Sequence, residues 1–142
     1  MTQTQTSEQR RADCAFELVK DVESKSWKKD YGRFAHKLPI LIRTCGPVAA
    51  LEFLRTRKKE NDGRPRGNED GPGETLLQHL ATQFAKANLL APDKATRDGL
   101  LEKVRKAPLP EYIRLTRELL AVLNWHKRLS VSVLDVHAGD GD

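Results

Sequence analysis

Two sets of Lys and Arg residues have the spacing that could bind a polyanion. On an ideal helix at about 100° per residue, the first set lies opposite the apolar stripe of the segment 31–45: Lys29, Arg33, Lys37 and Arg43. The second set shares one side of the segment 112–134: Arg114, Arg117 and Arg128. This second row spans about 21 Å at about 1.5 Å rise per residue, enough to touch several phosphates along a strand. A solvated charged face with an intrahelical pair such as Arg114 with Glu118 is the alternative, and spacing alone does not decide between them.

Other reactive side chains lack the spacing that chemistry requires. None of the four histidines has a His or Cys three or four residues away, and no C-x-x-C is present: His36, His79, His126 and His137. The glycines of 63–73 have neither the spacing nor the ending of a phosphate-binding loop, and no G-x-S-x-G occurs. A Cys–His nucleophilic pair stays open, although Cys14 and Cys45 lie on predicted apolar faces. We therefore predict no catalytic residue, no metal and no cofactor.

Composition indicates a single basic domain. The chain has 142 residues, 38% of them hydrophobic, with a net charge of +5 and a pI of about 9.4. This charge favours acidic partners, but only moderately. No apolar run is long enough to span a bilayer, and the polar N-terminus lacks a signal-peptide core. We therefore expect a cytoplasmic protein with no membrane partner.

Apolar spacings of three, four and seven, broken by Gly and Pro, predict an all-α fold of about six helices in one domain over 1–142. A capping box of Thr6 with Gln9 places the first helix start near Ser7. Pro39 predicts a kink in the second helix or its division into two short helices. The predicted helices are 7–24, 27–45, 47–59, 74–88, 96–106, and a last helix opened by Pro108 and Pro110.

Three segments are expected to lie outside the helices. They are a disordered tail at 1–6, a mobile Gly/Pro-rich loop at 60–73 and a frayed acidic tail at 138–142. The core is expected to include Phe16, Cys45 and Ile113, because each falls on an apolar stripe. Trp125 allows two interpretations, a platform for base stacking or a packing residue, and its neighbours Val122 and Leu129 favour packing.

Three segments carry a resemblance to a known family: RRADCAFELVKDV at 10–22, YGRFAHKLPILIRTCGPVAALEFLRTR at 31–57, and YIRLTRELLAVLNWHKRLSVSVL at 112–134. With the order of the helices, they resemble the small subunit of the type III-B CRISPR effector, the Cmr complex. The resemblance covers most of the chain. It implies an all-helical, non-catalytic subunit that stacks in several copies beside other subunits. There it lines the groove that holds the CRISPR RNA paired with its target RNA.

The resulting hypothesis is that basic side chains contact the RNA backbone, so that recognition is independent of sequence. The candidate RNA-binding residues are Lys29, Arg33, Lys37, Arg43, Arg114, Arg117, Lys127 and Arg128. One alternative is a helical DNA-binding regulator, because the break at Gly46-Pro47 resembles a helix-turn-helix. The helix after that break opens with Val48, Ala49 and Ala50 rather than with polar residues. A protein–protein adaptor is the other alternative, and an enzyme would need a pocket that the sequence does not reveal.

Overall fold

The computed structural model describes residues 5–56 and 70–139. Within these ranges the chain forms six α-helices, one short 3-10 turn at Pro92–Lys94 and no strand. This confirms the all-α prediction of six helices. The helices are α1 (Ser7–Lys20), α2 (Lys28–Cys45), α3 (Pro47–Thr56), α4 (Pro72–Lys86), α5 (Arg97–Lys106) and α6 (Leu109–Ser132).

Local sequence signals set most helix starts. The Thr6 hydroxyl accepts from the Gln9 amide at 3.0 Å, and the Gln9 side chain accepts from the Thr6 amide at 2.9 Å, as the capping box predicts. Thr6 is therefore the N-cap of α1 rather than part of a disordered tail. The predicted end of this helix at 24 was too late, since α1 ends at Lys20 and turns follow.

Helix α2 is a single helix that includes Pro39. The proline ring is buried, so its apolar contacts offset the hydrogen bond that its missing N–H cannot make. Gly46, with a φ of 88°, ends α2 in a conformation that favours glycine. Pro47 then opens α3, where a proline at the first position costs no hydrogen bond.

Helix α4 begins at Pro72, two residues earlier than predicted. The predicted end of the mobile loop at 73 was therefore too late. Residues 60–69 of that loop lie outside the described residues, and so do residues 1–4 and 140–142 of the two predicted tails. The early start depends on Gly73, where a Cβ would lie 2.5 Å from the backbone oxygen of Leu54. Glycine thus allows the first turn of α4 to touch the end of α3.

Gly73→Ala is expected to lower the free energy of unfolding by about 2 kcal/mol, because the added methyl meets backbone atoms that cannot rotate away. At an open helix position the same change would stabilise the helix by up to about 1 kcal/mol. Urea unfolding followed by circular dichroism measures the difference, with Thr75→Ala in the same helix as the control. A Gly73→Ala protein as stable as the parent would contradict this close approach.

Helix α4 contacts all five other helices, and α2 and α6 pack against it and against each other, running antiparallel. Tyr31 near the start of α2 contacts His126 near the end of α6, while Gly46 after α2 lies beside Tyr112 near the start of α6. α1 packs on α6 and α4, α3 packs on α2 and α4, and α5 packs on α3 and α4. After α6 the chain folds back, so that Val136 covers Gly32 of α2.

Three residues expected in the core are exposed instead. Ile113 is 45% exposed, because it lies about 200° from buried Leu115 on an ideal helix. Phe16 is 38% exposed at the edge of the α1 stripe. Cys45 is in phase with the buried side of α2 but is the last residue of that helix, where the chain turns into α3. Both Cys14 and Cys45 are free thiols.

Candidate nucleic-acid interface

The structure places all eight candidate RNA-binding residues at or near the surface. Lys127 is half-buried and the other seven are exposed. The exposed seven are Lys29, Arg33, Lys37 and Arg43 on α2, and Arg114, Arg117 and Arg128 on α6.

Only one carboxylate on α2 offsets the positive charge of its Lys and Arg side chains. Asp30 is the single acidic residue of this helix, and its Oδ1 lies 2.8 Å from Nη1 of Arg33. The Arg33 side chain stays 42% exposed, so this pair is screened by water and contributes little to stability. Arg33 can therefore exchange Asp30 for another anion at small cost, while Lys29, Lys37 and Arg43 form no ion pair within the described part of the chain.

The acidic residues of α6 pair with other helices. Glu118 binds Arg11 of α1 through two hydrogen bonds of 2.9 Å, and Glu111 lies 2.8 Å from Nζ of Lys103 on α5. The intrahelical pair of Arg114 with Glu118 considered from the sequence does not form, because Arg11 occupies Glu118. Neither Arg114 nor Arg117 has an ion-pair partner among the described residues.

The net positive charge of the protein is accounted for by these two helices. Together α2 and α6 carry nine Lys or Arg residues and three carboxylates, a surplus of six. That surplus exceeds the net charge of +5 for the whole chain. Because α2 and α6 are antiparallel neighbours, Arg43 lies near the end that holds Arg114, and Lys29 lies near the end that holds Arg128.

Trp125 is engaged in packing between helices. Its Nε1–H donates to Oε1 of Glu8 on α1 at 2.7 Å, and the guanidinium of Arg128 lies 5.3 Å from its ring centroid. The polar edge of the ring is thus bound and one face is covered. The structure favours the packing interpretation of Trp125 over base stacking.

A buried polar cluster between α2, α4 and α6 was not anticipated from the sequence. The hydroxyl of Tyr31 lies 2.8 Å from Nδ1 of His79 and 2.9 Å from Nδ1 of His126. Burial lowers the pKa of His79 to about 4 and that of His126 to about 3, so both rings are neutral at pH 7. A signal was available, since His126 follows Leu119 by seven residues and Val122 by four, and so shares the apolar stripe of α6.

The turn between α2 and α3 differs from a DNA-reading helix-turn-helix. Ala50 and Leu51, in the first turns of α3, are buried in the core. A recognition helix needs its first turns free to enter the major groove. This burial disfavours the regulator alternative.

Neither a metal-binding cluster nor a membrane span occurs in 5–56 and 70–139. No group of three or more His, Cys, Asp or Glu side chains is arranged there to hold a metal ion. No helix of those ranges is long and apolar enough to cross a membrane.

The fold and its surface define a class of protein: a small six-helix protein whose net positive charge is carried by two adjacent helices. Residues 7–133 match the family described as CRISPR-associated protein (Cas_Cmr5). The chain is 32% identical over 124 residues to the CRISPR system Cmr subunit Cmr5 of Thermus thermophilus, a match that covers 87% of this chain and 92% of that protein.

A solved structure supports the same assignment. The crystal structure of a CRISPR-associated Cmr5 family protein from Thermus thermophilus is similar with a TM-score of 0.75 and 30% identity, over 92% of this chain and 99% of that one. This chain belongs to the Cmr5 family, the small subunit of the type III-B Cmr complex. Its partners therefore include other subunits of that complex.

Proposed function

We propose that this protein is a non-catalytic, RNA-binding small subunit of a type III-B CRISPR interference complex in the cytoplasm. It contacts the backbone of the CRISPR RNA and its target RNA, and several copies stack along that duplex. The observation that carries the proposal is the surplus of positive charge on α2 and α6. Lys and Arg that neutralise phosphates release counterions and bind without reading bases.

The acidic residues on these helices support the same surface. Asp30 pairs with an exposed arginine, while Glu111 and Glu118 are bound by Lys103 and Arg11 of other helices. Lys29, Lys37, Arg43, Arg114 and Arg117 are therefore exposed without an ion-pair partner that a phosphate would have to displace, while Arg128 lies over the Trp125 ring. Sequence would be read by pairing between guide and target RNA, and the protein would add affinity along the backbone.

Contacts with copies of the chain or with other subunits would use exposed apolar side chains, and one of these, Ile40, lies beside Arg33 and Lys37 on the basic side of α2. Three large apolar side chains on α2 and α6 are exposed: Ile40 by 62%, Leu109 by 69% and Ile113 by 45%. Apolar side chains of this size tend to be covered in an assembly. We assign them to protein contacts within the complex.

Replacing Arg33, Lys37 and Arg43 together with Ala is expected to weaken RNA binding by about 10- to 100-fold at low salt. The slope of log affinity against log salt should fall by about 2 to 3, since three phosphate contacts are lost. Fluorescence anisotropy with a labelled RNA duplex and a single strand, at several salt concentrations, measures both quantities. The fold should be retained because all three side chains are exposed.

A matched control removes the same charges from another surface: Lys94, Arg105 and Lys106, all exposed and all replaced with Ala. This control should keep the parental affinity and slope. If both triple variants behave like the parent, α2 is not an RNA surface. A parent protein without any salt-dependent RNA binding, alone or in the purified complex, would instead favour the adaptor alternative.

A further inference from the structure

A pocket of about 320 Å³ lies where the end of α1 and the start of α2 meet α4. Its lining includes Asp21, Lys25, Trp27, Asp70 and His79. The volume is within the range of small-molecule sites. None of the eight candidate RNA-binding residues lines it, so it is separate from the proposed RNA surface.

The hydrogen bonds behind the pocket fix which ring nitrogen of each histidine carries a proton. The Gln83 amide donates to the carbonyl oxygen of Arg11 at 3.3 Å, so its Oε1 is the atom that faces His126. His126 must therefore donate through Nε2–H, which leaves its Nδ1 as an acceptor for the Tyr31 hydroxyl. Burial raises the pKa of Tyr31 well above its usual value, so this hydroxyl keeps its proton.

The same series of hydrogen bonds determines which ring nitrogen of His79 carries the proton. Because the single proton of the Tyr31 hydroxyl is given to His126, the contact of 2.8 Å between Tyr31 and His79 requires His79 to donate through Nδ1–H. A neutral imidazole with a proton on Nδ1 has a lone pair on Nε2. Each group in this series therefore donates to the next, from His79 through to the carbonyl of Arg11. Nε2 of His79, at the start of the series, is left as an acceptor without a donor.

The acceptor of His79 faces the pocket. His79 is only 9% exposed, and its Nε2 has no hydrogen-bond partner among the described residues. The single fully buried side-chain nitrogen or oxygen without a partner in those ranges is Nδ1 of His36. Nε2 of His79 is therefore reached by solvent, and the open space that His79 borders is this pocket.

The charges around the pocket favour a positively charged donor. Asp21 lies close enough to His79 to raise its pKa against the larger lowering effect of burial. Asp21 also follows the last turn of α1, where backbone carbonyls carry partial negative charge. Trp27 supplies an aromatic surface that cations favour. Asp70 is paired with Arg97 at 3.1 Å. Among the described residues that line the pocket, Lys25 is the only Lys or Arg.

We propose that this pocket binds a protonated amine or guanidinium, whose N–H donates to Nε2 of His79 and whose charge is balanced by Asp21. A free polyamine and a Lys or Arg side chain of a partner protein are the two sources of this chemistry. Lys25 lines the same pocket, and its positive charge would oppose a second cation there. The site is independent of the RNA surface on α2 and α6.

The tautomer of His79 is the first test. Long-range proton–nitrogen correlation spectra of the full-length ¹⁵N-labelled protein at neutral pH report which ring nitrogen is protonated. We expect Nδ1–H for His79 and Nε2–H for His126. An Nε2–H tautomer of His79 would remove the acceptor and overturn the proposal.

Binding is then followed at the His79 ring signals with two probes, spermidine and the peptide acetyl-Gly-Arg-Gly-amide. Asp21→Asn should weaken binding by about tenfold, because a charged hydrogen-bonding partner is lost. Lys25→Gln should tighten it by about threefold, because the opposing positive charge is removed. Asp93→Asn, an exposed aspartate on the 3-10 turn, is the matched control and should have no effect.

The response of the two probes identifies the source. Binding of spermidine alone supports a free polyamine, and binding of the peptide alone or of both supports a basic side chain of a partner as an occupant. If neither probe shifts the His79 signals, the proposal is wrong. It is also wrong if inorganic phosphate binds there and Lys25→Gln weakens that binding, since the pocket would then select anions.

Discussion

Lowering the pH from 7 to 5 is expected to reduce the free energy of unfolding by about 4 kcal/mol. In the unfolded chain His79 and His126 have their ordinary pKa of 6.5, whereas in the folded protein the values are about 4 and about 3 because burial disfavours the charged ring. Their full contribution to stability is present above pH 6.5. It is lost as the pH falls, because only the unfolded chain then binds protons.

The measurement is urea unfolding followed by circular dichroism between pH 7 and pH 5, a range above the ordinary pKa of carboxylates. Two titrating groups give a slope of about 2.7 kcal/mol per pH unit where both differ fully between the states. Replacing both His79 and His126 with Gln should flatten the dependence, even if that protein is less stable at every pH. His137→Gln should retain it, since His137 is exposed. A parent protein with equal stability at pH 7 and pH 5 would refute the assignment.

Tyr31→Phe is expected to lower the free energy of unfolding by about 4 kcal/mol at pH 7. The phenylalanine ring fills nearly the same volume, so the loss arises from polar groups left without partners. Nδ1–H of His79 loses its acceptor and Nδ1 of His126 loses its donor, and both rings are buried. A loss of this size is a large share of the stability of a typical domain.

Tyr112→Phe provides the matched control. Its side chain is half-buried, and its hydroxyl makes no hydrogen bond within 5–56 and 70–139. The same removal of an oxygen atom should therefore change stability by less than about 0.5 kcal/mol. If the two substitutions lowered the free energy of unfolding equally, the hydrogen bonds of the Tyr31 hydroxyl would not contribute to stability as proposed.

The helices could be predicted because their signals are local. The cap at Thr6, the break at Gly46-Pro47, and Pro108 and Pro110 at the start of α6 each act within one turn of the chain. The start of α4 was missed because Gly73 suits a loop when only its neighbours in sequence are considered. Its reason is a contact with the backbone of Leu54, nineteen residues away, and no local pattern encodes that contact.

The buried histidines were missed for a related reason. Helical spacing within one segment reveals only pairs on the same helix, whereas His79 and His126 meet only when α4 and α6 pack around Tyr31. The exposure of the basic residues followed directly from helical phase. Their ion pairs did not, since Glu118 is taken by Arg11 of α1 rather than by Arg114 on its own helix.

The uneven distribution of charge has a consequence for how the protein meets other molecules. Outside α2 and α6 the chain is slightly acidic, because these helices hold a surplus of six in a chain of net +5. Such a molecule has a dipole and experiences a torque in the field of any polyanion. The field would orient the positive side of the protein toward the polyanion before contact, so that a larger fraction of encounters would occur in a binding orientation. Added salt would remove this alignment over distances beyond about 10 Å.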